Sequence, residues 1–163
     1  MVSSSRSALT NLDHFALTGH LIECLLGTPE SRIVNVSSLA AYNGEVYTTS
    51  FREPREYKPW AAYGQSKLAN LMFTLELKDR LEGKGTIAVA AHPGDAATNL
   101  GRNIKSGKVM KWIAEKVLLP LLPSAEQNAA PHLLAATQEH VQNGDYYGPG
   151  GLGEISGAPK KVS

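Results

Sequence analysis

Three polar side chains stand where this chain could move a proton. Tyr63 and Lys67 are four residues apart, a spacing that stacks them on one face of a helix. Lys67 is the only charged residue between Lys58 and Glu76. A cation in so apolar a helix needs water, a partner or a ligand, because burying an unpaired charge is costly. Beside a phenol it has a chemical use. The positive charge favours phenolate and draws a tyrosine pKa down from its reference near ~10, which makes Tyr63 a candidate general acid/base. The hydroxyl of Ser38 is a candidate for holding a substrate oxygen in place. Tyr-x-x-x-Lys alone arises by chance in many helices, and its bland alternative is a lysine that snorkels to solvent beside a half-buried tyrosine. Position decides between the two.

Residues 32–37, Arg-Ile-Val-Asn-Val-Ser, are short, β-branched and nearly continuously apolar, as a parallel strand buried on both faces should be. Residues 86–91 read the same way. Between them residues 60–81 form the clearest helix, ended by Gly83-Lys84-Gly85. Strand, helix and strand at this spacing make a right-handed βαβ unit with parallel strands. Ser38 follows the first strand, and His92-Pro93-Gly94 follows the second. Ligands of open α/β sheets sit outside the carboxyl ends of the strands, so Ser38 and the Pro93-Gly94 turn should line one crevice, with Tyr63 and Lys67 between them.

Other elements frame this unit. A helix is expected over residues 10–26, with Phe15, Leu17, Leu21, Ile22, Leu25 and Leu26 as its apolar positions and Gly27-Thr28-Pro29 as its stop. Residues 1–9 read as a frayed, disordered N-terminus and 10–163 as one domain. Residues 39–59 form a long polar and aromatic loop, a common functional feature. A helix is expected at 108–122 and another from a Ser124/Gln127 capping box to residue 137. The Gly- and Tyr-rich tail allows one last short strand.

The chain has 163 residues, 42% hydrophobic and 19% charged, with a net charge of +1. That composition suits one soluble globular domain and argues against a nucleic-acid partner. No apolar run is long enough to span a bilayer. The single cysteine, Cys24, excludes an internal disulfide and points to a reducing cytoplasm; its apolar helical surroundings predict a packing role. A serine hydrolase using Ser38 lacks the Gly-x-Ser-x-Gly context. His14 and His20 are six apart, so they face different sides of a helix and predict no metal site.

Taken in order, Asn35-Val36-Ser37-Ser38, Tyr63-Gly64-Gln65-Ser66-Lys67 and Pro93-Gly94 with Thr98 resemble the motifs of the short-chain dehydrogenase/reductase family. His14-Phe15-Ala16-Leu17-Thr18-Gly19, Ser66-Lys67-Leu68-Ala69-Asn70 and His92-Pro93-Gly94 resemble its retinol-dehydrogenase-like branch. The resemblance runs from about residue 10 to the end. It implies an oxidoreductase using NADP or NAD on a small hydrophobic carbonyl or alcohol. Ser38 would position the substrate oxygen, Tyr63 would exchange the proton, and Lys67 would bind the nicotinamide ribose. Pro93, Gly94, the backbone near Ala96 and the Thr98 hydroxyl would meet the nicotinamide end. The family's fourth catalytic group, an asparagine, falls at Thr10 in an ungapped match; Asn11 takes that role if the register shifts by one and is otherwise a helix cap.

The resemblance also marks what these residues do not include. No Gly-x-x-x-Gly-x-Gly turn precedes the first strand, so the expected fold is α/β, the C-terminal part of a Rossmann-like doubly wound parallel sheet without its first strands and pyrophosphate turn. Gly148 to Gly157 reads as tail loop. Little or no activity is expected of such a truncated chain by itself. The competing expectation is a non-enzymatic interaction module, in which Leu68, Leu71, Met72 and Leu75 form a homo-oligomer or pair with an intact homologue.

Overall fold

The computed structural model describes residues 5–46, 58–94 and 123–162. Helix α1 (Ser5–Leu26) leads into strand β1 (Arg32–Val36), and helix α2 (Pro59–Arg80) into strand β2 (Ile87–Ala91). Helix α3 (Ala125–Thr137) precedes strands β3 (Tyr146–Pro149) and β4 (Pro159–Val162). The sheet order is β1-β2-β3-β4. β1, β2 and β3 are mutually parallel, with Val36 opposite Ala91 and Ala91 opposite Tyr147, while β4 returns antiparallel to β3. The βαβ unit expected from the sequence is therefore present, within a residue or two at each boundary.

Period-two alternation divides the core into two layers. Ile33 and Ala88 point to one face, where Leu77 of α2 and Leu81 at its C-terminal cap cover them and Ile22 and Leu25 of α1 pack alongside. Val89, Ala91 and Tyr147 point to the other, under Ala135 of α3 and Val141. Helices thus cover both faces, which makes the fold Rossmann-like and doubly wound. Polar side chains between α2 and β1 bond to one another: Asn35 Nδ2 donates to Thr74 Oγ1 at 2.9 Å, and Thr74 donates on to the Asn70 carbonyl at 2.9 Å. Ser124 and Gln127 complete both bonds of their capping box.

Several details depart from the sequence expectation. α1 starts at Ser5, inside the segment expected to be frayed. Its apolar positions are mostly exposed, Phe15 by 63% and Leu17 by 59%; Ile22 and Leu25 pack on the core at the base of the helix, and Phe15 reaches α2 through one ring contact with Phe73 at 5.4 Å. Cys24 is exposed, so it does not pack. β1 is not buried evenly on both faces; Val36 is 38% exposed. The expected loop after Ser38 opens as a 3-10 turn, Leu39–Asn43. The tail holds two strands rather than one, separated by a second 3-10 turn, Leu152–Glu154. The helix expected at 108–122 lies outside the described residues.

Gly148 sits in β3 because a Cβ there would collide with the His92 ring. Gly148→Ala is therefore expected to destabilise by about 1–3 kcal/mol, the usual cost of overpacking a tight interior. Gly19, on the exposed side of α1 with open space around it, is the control: Gly19→Ala should stabilise by ~0.5–1 kcal/mol. Urea unfolding midpoints measure both, and a neutral Gly148→Ala would contradict the packing.

Candidate active site

The carboxyl ends of β1, β2 and β3 lie along one edge of the sheet. The Ser37 amide donates to the Ala91 carbonyl at 2.8 Å, and the His92 amide donates to the Tyr147 carbonyl at 2.9 Å. The ladder thus continues one residue past β1 and β2 and sets Ser37-Ser38 level with His92-Pro93-Gly94.

α2 crosses this edge with its first turns. Ser37 Oγ donates to the Lys67 carbonyl at 3.1 Å. Lys67 Nζ and Asn70 Nδ2 both donate to the Val36 carbonyl, at 3.3 Å and 2.9 Å. Lys67 is only 9% exposed, and the described residues give its ammonium no salt bridge with a carboxylate. Burial therefore lowers its pKa from the ordinary lysine value. Its Nζ lies 5.7 Å from the centroid of the Tyr63 ring. Tyr63 is 40% exposed and meets Trp60 edge-on, so the side chain is within reach of an incoming molecule while its ring rests near the cation. An ammonium has three donors, and the carbonyl at its inner side takes one. The remaining donor chemistry suits hydroxyl groups such as those of a sugar diol.

Ser38 caps the 3-10 turn, its Oγ accepting from the Ala40 amide at 3.3 Å. Two glycines bring that turn against α2. A Cβ at Gly64 would lie 2.8 Å from the Ala40 carbonyl oxygen, and one at Gly44 would lie 2.5 Å from the Gly64 carbonyl oxygen. Backbone meets backbone there, one residue from Tyr63. Thus Tyr63 and Lys67 are brought together, Ser38's turn is packed on the helix that carries them, and Pro93-Gly94 occupies the neighbouring strand end. Gly94 has φ +85, a left-handed conformation that favours glycine. The backbone of Asn11 belongs to α1; its side chain, Ala96 and Thr98 lie outside the described residues.

Sequence reasoning missed a second polar group at this edge. His92 is fully buried. Its Nδ1 accepts from the Gly94 amide at 3.2 Å, and its Nε2 lies 3.0 Å from a carboxylate oxygen of Glu154. The same oxygen accepts from the Tyr42 hydroxyl at 3.1 Å. Burial pushes the Tyr42 pKa up to about 12, and the adjoining Glu154 carboxylate adds to the rise. Nothing in sequence spacing links residues 42, 92 and 154; only the fold does.

Solved and curated proteins are similar to this chain. Human retinol dehydrogenase 13 is 36% identical over 157 residues, which is 93% of this chain and 47% of that protein. Short-chain dehydrogenase/reductase prx1 of Penicillium roqueforti is 35% identical over 136 residues, 81% of this chain and 40% of that protein. A crystal structure of an uncharacterized protein from Mycobacterium paratuberculosis superposes with a TM-score of 0.69 at 34% identity, over 98% of this chain and 50% of that one. No family model matches the chain. The fold and the strand-end residues define a Rossmann-like α/β protein. The chain belongs to the short-chain dehydrogenase/reductase family, in its retinol-dehydrogenase-like branch. It spans less than half the length of the curated relatives it matches. Among the described residues no helix is long and apolar enough to cross a membrane, and no group of metal-ligating side chains is assembled.

Two histidines make stability depend on pH. Burial lowers the pKa of His92; the Glu154 carboxylate pulls it up, but by less. Burial also lowers that of His132, with the charge of Lys67 adding to the effect and backbone hydrogen bonds opposing it. The unfolded chain protonates such rings near ~6.5, whereas the folded chain holds them neutral to lower pH. The unfolded state therefore binds more protons in that window, and stability falls as pH drops from about 6.5 through the lower folded values. Unfolding midpoints at pH 7.5 and pH 5 should show the fall, and His132→Gln should flatten part of it; a midpoint that rises toward pH 5 would contradict the assignment.

Proposed function

We propose that the chain carries the proton-transfer half of an NAD- or NADP-dependent oxidoreductase acting on a small hydrophobic carbonyl or alcohol. The observation that carries this reading is the buried Lys67 ammonium beside the Tyr63 ring at the end of β1. A nicotinamide dinucleotide, when bound, supplies or accepts the hydride. The chain's own residues do the rest. Ser38 holds the substrate oxygen. In the alcohol-forming direction the Tyr63 hydroxyl gives that oxygen its proton, and in the reverse direction it takes the proton back. The Lys67 cation offsets the negative charge that appears on the tyrosine oxygen and offers its free N–H groups to ribose hydroxyls. Pro93 and Gly94 would border the nicotinamide end, the part the resemblance also gives to Ala96 and Thr98.

The donor chemistry of Lys67 fits the ribose end of the cofactor. The residues at the carboxyl ends of β1 and β2 would meet the nicotinamide-ribose half of the cofactor, so the reading is made for that half. Half-cofactors test the reading directly. Reduced nicotinamide mononucleotide should shift the NMR signals of the Lys67 side chain and the Gly94 amide at millimolar concentration, and ADP should not. Loss of the Lys67 shift in Tyr63→Phe would support the shared site. Shifts from ADP rather than the mononucleotide would refute it.

A second reading has its own observation. Met72 and Leu75 on α2 are 50% and 54% exposed, and Phe15 and Leu17 on α1 more so. Such a surface suits association with a second copy or an intact homologue, independent of catalysis. Size-exclusion chromatography of the chain with and without an intact homologue should show a heavier species. Met72→Lys with Leu75→Lys should abolish it, and a monomer under all conditions would discard this reading.

A further inference from the structure

We propose that Glu154 is a positioning residue, a carboxylate clamp that holds the Ser38 turn and the Gly94 turn in fixed register at the sheet edge. One carboxylate oxygen receives hydrogen bonds from two separate elements: the Tyr42 hydroxyl at 3.1 Å and His92 Nε2 at 3.0 Å. Tyr42 belongs to the 3-10 turn that Ser38 caps. His92 begins the turn that ends in Gly94. Because Nδ1 of His92 accepts the Gly94 amide, the proton of the neutral ring sits on Nε2, where it donates to Glu154. The ring therefore has one tautomer, fixed from both sides.

The backbone supplies an independent sign. Glu154 has φ +57, a left-handed conformation uncommon for a residue with a side chain. Such a backbone persists only when its surroundings impose it, and it collects at functional sites. Here it follows Gly153 at φ +63, and the tail that carries it lies against Gly94: a Cβ at Gly94 would meet the Ile155 carbonyl oxygen and would lie 2.8 Å from the Pro149 ring. The Tyr42 and Tyr146 rings and the His92 and Tyr146 rings pack on one another beside the clamp, at 6.5 Å and 5.2 Å. Cutting the carboxylate should release both turns, since Glu154 bonds to each of them. The catalytic consequence rests on the reading of Ser38, Tyr63 and Lys67 given above; the clamp itself does not.

Amide hydrogen exchange on the 163-residue chain tests it. In Glu154→Ala, exchange at Ala41 and Gly44 of the Ser38 turn and at Gly94 should rise together by tenfold or more, while Val89 and Ala90 in β2 stay unchanged. Glu154→Gln, which keeps an acceptor oxygen, should restore most of the protection. The side-chain nitrogen shifts of His92 should change from a single Nε2–H tautomer to a mixture in Glu154→Ala. If that variant does not fold, Tyr42→Phe cuts one arm at a half-exposed position and should loosen the Ser38 turn alone. Faster exchange confined to residues 152–155, or an even rise across the sheet, would overturn the clamp. A failed half-cofactor titration with these exchange changes intact would remove the redox reading and leave the clamp standing.

Discussion

A buried ammonium must be satisfied from within, and in this chain that demand ties a helix to the end of a strand. Lys67 finds the Val36 carbonyl. To reach it, α2 has to cross the sheet at the carboxyl end of β1 and not elsewhere. Asn70, one turn further along, repeats the contact at 2.9 Å, and Ser37 answers from the strand side with a bond to the Lys67 carbonyl. Three hydrogen bonds between the same short segments fix both the height and the rotation of the helix. The rotation is what sets Tyr63 at the mouth of the edge. A lysine lowered in pKa by burial costs stability that an apolar residue would not, and proteins commonly carry that cost where a charge has work to do.

A close backbone approach complements the polar tie. Gly64 and Gly44 let the Ser38 turn touch α2 with no side chain between them. The turn is thus seated against the helix by contact and against the tail by hydrogen bonding to Glu154. Each strand end is braced by something distant in sequence: the Val36 end by α2, the Ala91 end by Gly148 and Glu154, the Ser38 turn by both. An edge built this way is rigid without being contiguous, which is how a site on loops can hold its geometry.

Sequence made the central unit legible because its signals are local. Two β-branched runs flank an amphipathic stretch ended by glycines, and Ser124 with Gln127 announces a helix start through bonds made within four residues. The Tyr63–Lys67 pairing was readable for the same reason, since helical period alone brings them together. What sequence could not give depends on distance along the chain. β4 is visible only once β3 exists to pair with Pro159–Val162; alone, Pro-Lys-Lys-Val reads as a polar tail. The outward exposure of Cys24 and Phe15 follows from which stripe of α1 meets the sheet, and the pattern of apolar residues around α1 was too broad to choose one. The role of Glu154 was hidden because its partners lie 62 and 112 positions away, and because a glutamate among glycines looks like solvent-facing loop.

The carbonyl that receives Lys67 and Asn70 has one more implication. Among the described residues β1 lies at the border of the sheet, with β2 on one flank. The alternation of the parallel ladder, which spends Ser31 and Ser37 on β2, turns the Val36 oxygen to the opposite flank. That rung is already occupied by the chain's own side chains. A strand laid beside β1 would find the Arg32 and Val34 groups of that flank to pair with, while the Val36 oxygen already accepts from Lys67 and Asn70.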